Sequence, residues 1–165
     1  MTEAQTAERI VAVHADRPAE HLFFAQYRHW MAGYATGDIL AWDSAWDSLL
    51  KFVPFNVARV LYAEFHLFAR CLTEAMGMRC GWRPDVCRCL CRDEYFILML
   101  VGAAQRDDVE AEARAMAALA GGDHPTLAIA SRRLAETLKR FDIIFAPIRN
   151  QSAPARVTSD GHTMH

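Results

Sequence analysis

Apolar residues recur along this chain at three- and four-residue intervals, the spacing of a helix face rather than of a strand. From Glu20 to Thr36, Leu22, Phe23, Tyr27, Trp30, Met31 and Tyr34 fall on one side, and Gly37 stands where a C-terminal cap belongs. Asp38 is placed to cap a second helix, ILAWDSAWDSLLKF, in which Trp42, Trp46, Leu49 and Leu50 share a face and Asp43 and Asp47 share another. Pro54 ends that helix. It also serves as the first residue of a third running to about Met76, because a missing N–H costs nothing there. Gly77 and Gly81 mark a loop, after which Pro84 opens a fourth helix that carries three cysteines and then the apolar run YFILMLVGAA, ending near Gln105. Asp107 and Asp108 favour the start of a fifth, VEAEARAMAALA, which Gly121 and Gly122 stop. Pro125 starts the sixth, with Leu127, Ala130, Leu134 and Leu138 on one side and Arg132, Arg133, Glu136, Lys139 and Arg140 largely on the other.

Six helices with short connections predict an all-α, single-domain bundle whose third and fourth helices form a central antiparallel hairpin. The expected boundaries are a partly helical N-terminal extension over 1–18, a helical domain over 19–149 and a disordered, polar tail over 150–165. Only IIFAPI, from Ile143 to Ile148, hints at extended chain. The echo AWDSAWDS repeats every four residues and so returns each residue type to its own helical face; Trp42 and Trp46 are expected to anchor a core or an interface.

A length of 165 residues suits one domain with a sizeable core, and 53% hydrophobic residues against 23% charged leaves more apolar surface than such a core absorbs. A self-associating or partner-binding face is the expectation. A formal net charge of −2 argues against a surface tuned as a whole to nucleic acid or to an anionic membrane. The run from Tyr95 to Ala104 is about half the roughly 20 residues that a spanning helix needs, so no membrane partner is expected. Acidic residues near the N-terminus, no apolar run after them, an odd cysteine count and a bacterial-looking composition point to a reducing cytoplasm and free thiols.

The densest chemistry lies in RCGWRPDVCRCLCR, Arg79 to Arg92, which gathers four of the five cysteines in fourteen residues. No CxxC pair or haem-attachment spacing is present. On a helix from Pro84, Cys87 and Cys91 share a face and Cys89 lies opposite, while Cys71 would stand level with Cys91 across the hairpin. Cys71, Cys80, Cys87 and Cys91 then form a candidate thiolate site for zinc or another thiophilic metal, although the commonest role of such cysteines is burial. Cys87, in a first helical turn beside Arg83, Arg88 and Arg92, is the candidate reactive thiol, and those arginines are candidates for holding an anion or a partner.

Other constellations say less. Glu64 and His66 point apart on a helix, no ExxH motif supports a di-iron site, and His66 is free to pair with Tyr62 or Arg70. Asp93 and Glu94 read as salt-bridge partners of the neighbouring arginines. The last two helices, joined by a Gly-containing turn, resemble a helix-turn-helix only loosely; Arg132, Arg133, Lys139 and Arg140 would be its nucleic-acid contacts, disfavoured by the acidic helix before them. No phosphate loop, GxSxG or HExxH occurs, so an enzyme has no motif behind it. The leading expectation is a non-enzymatic cytoplasmic accessory or regulatory protein acting through self-association or another protein. The alternatives are a metal-binding or thiol-sensing bundle and, last, DNA binding.

Overall fold

The computed structural model describes residues 16–148, and among these the regular structure is helical. Helix α1 spans Pro18–Thr36, with its proline in the first turn, and stops at Gly37, whose φ of 70° admits the left-handed cap and whose N–H reaches the Gly33 carbonyl. Asp38 caps α2 (Ile39–Phe52), its carboxylate accepting from the Leu40 N–H at 2.9 Å. Pro54 launches α3 (Phe55–Met76), and a 3₁₀ turn, Gly77–Arg79, follows it. Helix α4 is Arg92–Gln105, α5 is Val109–Ala120 and α6 is Pro125–Arg140. Asp108 caps α5 through the Ala111 N–H at 3.0 Å, and Gly121 closes it at φ 73°.

The fourth helix does not begin at Pro84. Residues 80–91 form an irregular loop in which one turn bond, Cys87 N–H to the Pro84 carbonyl at 2.9 Å, is the sole trace of the expected start. The backbone groups that a helix would use are taken by side chains from elsewhere, as described below, and a backbone group already satisfied has no reason to enter an i→i−4 ladder.

The central hairpin of α3 and α4 is not found either. Helix α4 packs on α5 and α6, α6 packs on α3, and α1 packs on α2 with lesser contacts to α3. Helix α6 thus takes the place beside α3 that sequence order assigned to α4. The long loop allows this, since the antiparallel-neighbour rule holds only for links of a few residues. The core joins Phe23 of α1 to Phe65 and Phe68 of α3 and to Phe145, with ring centroids 5.8, 6.4 and 5.1 Å away. Trp42 lies against Gly33 of α1, where a Cβ would come within 2.1 Å of the indole Nε1, so the close approach depends on glycine. The segment after α6 is not a strand but is held like one: the Gln105 amide donates to the Ile143 carbonyl (2.8 Å) and accepts from the Phe145 N–H (2.9 Å), and buried Glu20 accepts from the Ala146 N–H (2.8 Å). The N-terminal extension up to residue 15 and the expected disordered tail over 150–165 lie outside the described residues.

Candidate functional site

The cysteine-rich loop is organised from α1. Helix α1 presents FFAQYRHWM to the interior, and Arg28 lies on that face, buried, with its guanidinium 5.6 Å from the Phe24 ring centroid. A buried cation needs a counter-charge and full hydrogen bonding. Both are supplied across 66 residues of sequence: Nε donates to Glu94 Oε1 at 2.7 Å and Nη2 to Oε2 at 3.2 Å. The remaining donors reach three loop carbonyls, Cys89 (3.0 Å), Cys87 and Asp85 (3.4 Å). Glu94, in the first turn of α4 and with its side chain fully buried, also accepts from the backbone N–H of Arg83 (3.1 Å) and of Cys91 (2.9 Å). One ion pair therefore fixes both the carbonyl side and the amide side of the loop.

Two further contacts close its ends. The Tyr27 hydroxyl donates to the Gly81 carbonyl at 2.7 Å, and with its one hydrogen so used, the Cys80 thiol 3.0 Å away is the donor to the phenolic oxygen. The Gly81 N–H donates to Asp93 Oδ2 at 2.7 Å. Burial pushes the Cys80 thiol from 9.0 up to about 12 and drives the Tyr27 hydroxyl well above the usual phenol range. Cys91, half-buried at the N-cap of α4, is raised as well, chiefly by burial, with nearby backbone N–H groups working against it.

The sulfurs expected to converge do not share a helix. Cys71 is buried on α3, where burial raises its thiol, and its charged neighbours are Glu74 and Arg70. Cys80 is buried at the loop entrance, Cys87 is half-buried and Cys89 exposed in its middle, and Cys91 caps α4. With neither a helix from Pro84 nor an α3–α4 hairpin, the geometric premise of a Cys71, Cys80, Cys87 and Cys91 centre is gone; among the described residues no three His, Cys, Asp or Glu side chains come together to hold a metal ion. Cys87 is likewise not in a first helical turn and has no helix dipole behind it. Arg83 contributes its backbone N–H to Glu94. Arg88 reaches out to Asp16, and Arg92 lies over the Phe96 ring at 5.0 Å while donating to the Ala118 carbonyl at 3.0 Å. Arg88 and Arg92 thus have separate partners, while the buried Arg83 Nε has none among the described residues.

His66, expected near Tyr62 or Arg70, instead stacks on Trp30, centroids 4.6 Å apart and planes 4° from parallel. At the other end of the bundle, Arg132 donates to Glu112 at 2.8 Å, Arg133 to Glu64 at 2.7 Å, and Lys139 lies 3.9 and 3.7 Å from Asp107 and Glu136, which leaves Arg140 alone of the four without a carboxylate among the described residues. A cavity of about 360 Å³ opens between α5 and α6, lined by Val109, Met116 and Ala128 and by the Glu112–Arg132 pair. A different surface stands out on α2, which buries just Ala45, Ser48 and Leu49. Trp46 bridges from it to α3, edge-on to Phe55 (5.6 Å) and Tyr62 (5.5 Å).

The sequence pattern does not single out Arg28, places Tyr27 only on the apolar face of a helix, and assigns Glu94 to neighbouring arginines whose side chains it does not meet. The available signal was an arginine set on the apolar face of a helix, four residues after Phe24, a placement that demands a buried partner. Compared with known protein families, with curated proteins and with solved structures, the chain matches none.

Proposed function

We propose that the protein is a helical accessory or regulatory protein that acts by protein–protein contact, and that its first partner is a second copy of itself, joined through the outer face of α2 and the start of α3. One observation carries this reading: of the ten large hydrophobic side chains exposed among the described residues, six (Ile39, Leu40, Leu50, Phe52, Phe55 and Val60) fall in this short stretch. Scattered exposed apolar residues are ordinary, whereas a concentration of them in one short stretch of chain supports an interaction surface there. Helix α2 sits at the margin of the bundle, so covering it leaves the core and the loop at residues 80–91 undisturbed.

The test is light scattering across a concentration series, on the wild type and on L50K and F55D. Phe55 is 61% exposed, and covering such a side chain is worth on the order of 1–2 kcal/mol, so a charge in its place should weaken association at least tenfold while leaving the circular dichroism unchanged. A wild type that stays monomeric at the highest concentration, or a dimer indifferent to both substitutions, would overturn the assignment of this face.

A further inference from the structure

The cysteine loop carries a second inference, independent of the α2 surface. The same guanidinium takes the carbonyls of Cys87 and Cys89, two residues apart, and touches that of Asp85, so the chain bends around Arg28 as an arc with its peptide oxygens inward. On this arc Cys89 is exposed, Cys87 half-buried and Val86 90% exposed, and Arg88 is engaged by Asp16. From this geometry we propose that Cys87 and Cys89 form a two-coordinate thiolate site for a soft monovalent d¹⁰ cation, copper(I) being the physiological representative of that class.

Three arguments lead there. Soft thiolates select copper(I), and the ion is satisfied by two sulfurs where zinc needs four ligands in tetrahedral array. No third His, Cys, Asp or Glu joins these sulfurs among the described residues, so a four-ligand cage is not on offer. The span also fits: two metal–sulfur bonds of about 2.3 Å set the sulfurs about 4.6 Å apart, and Cα atoms two residues apart are separated by no more than about 7 Å, a gap that two side chains bridge by rotating about χ1. Because Arg28, Glu94 and Tyr27 already fix the backbone, little ordering remains to be done on binding. The step balances without a redox change: two thiols release two protons to solvent, two sulfur–copper bonds form, the copper stays monovalent and the complex carries one negative charge.

The experiment uses the full chain, reduced and handled anaerobically, titrated against copper(I) held by the chromophore bicinchoninate. The wild type should withdraw one equivalent of copper(I) and develop near-ultraviolet sulfur-to-copper absorption. C87S and C89S should each weaken this at least tenfold, whereas C71S and C91S should retain it; both loop thiols lie outside the core, so the first two variants are expected to keep the wild-type circular dichroism. Failure of the wild type to withdraw copper would overturn the proposal. So would wild-type binding by C87S or C89S, or a loss that follows C71S or C91S instead. None of these outcomes bears on whether the α2 face mediates association.

Discussion

Replacing Arg28 by methionine tests the organising role of the buried ion pair. Methionine keeps an unbranched apolar stem and removes the charge and all of the donors. The side chains of Arg28 and Glu94 are 5% and 0% exposed, so solvent cannot rescue what is left behind. The Glu94 carboxylate would keep two backbone N–H donors and lose its counter-charge, and the carbonyls of Asp85, Cys87 and Cys89 would lose their donor. Stranding one member of a buried pair costs about 3–5 kcal/mol, a large share of the roughly 5–15 kcal/mol that holds a domain together. At about 2–4 °C per kcal/mol for a chain of this size, the melting temperature should fall by roughly 6–20 °C. Urea unfolding is the assay, with amide exchange across residues 80–91 as the local readout. Adding E94Q to R28M removes the stranded charge, so the double variant should lose less than the sum of the singles by about 1–3 kcal/mol. An R28M protein destabilised by under 1 kcal/mol or so, with the loop amides as protected as before, would refute the argument that this pair holds the loop.

Other outcomes follow from the same structure. Cys80 is raised from 9.0 to about 12, so the unfolded chain gives up this proton first; this thiol should add no pH dependence below about pH 9 and a fall in stability of about 1.4 kcal/mol per pH unit between 9 and 12, a contribution that C80A should remove in alkaline urea titrations. With an aromatic disulfide reagent at pH 8, Cys89 and Cys87 should react in the folded protein and Cys71 and Cys80 only on denaturation, as mass mapping of the labelled peptides would show. G33A forces a methyl group into Trp42 and should cost about 1–3 kcal/mol, with a changed tryptophan emission spectrum. Q105A leaves the Ile143 carbonyl and the Phe145 N–H unpaired and should cost about 1–3 kcal/mol while speeding exchange at the Phe145 amide.

Much of the local structure is legible in the residues themselves. Proline at the start of α3 and α6, aspartate capping α2 and α5, and glycine after α1 and α5 act within one or two turns, so the short-range rules that describe them suffice, and the helix ends they mark agree closely with the structure. The stretch after Pro84 fails for the complementary reason. Its local signals favour a helix, but its carbonyls are claimed by an arginine from α1 and its amides by a glutamate at the head of α4, and nothing between Pro84 and Cys91 announces those competitors.

The sequence by itself determined that the described residues are helical, where five of their six helices begin and end, and that the thiols crowd into one segment. Tertiary structure alone decided that α6 rather than α4 lies beside α3, that Arg28 meets Glu94, and that residues 80–91 form an irregular loop around that arginine rather than the first turns of a helix. The physical reason is one of range. Periodicity and capping report how a segment treats its own neighbours, whereas a buried charge chooses its partner from the whole chain, and the backbone around that partner takes whatever conformation satisfies the pair.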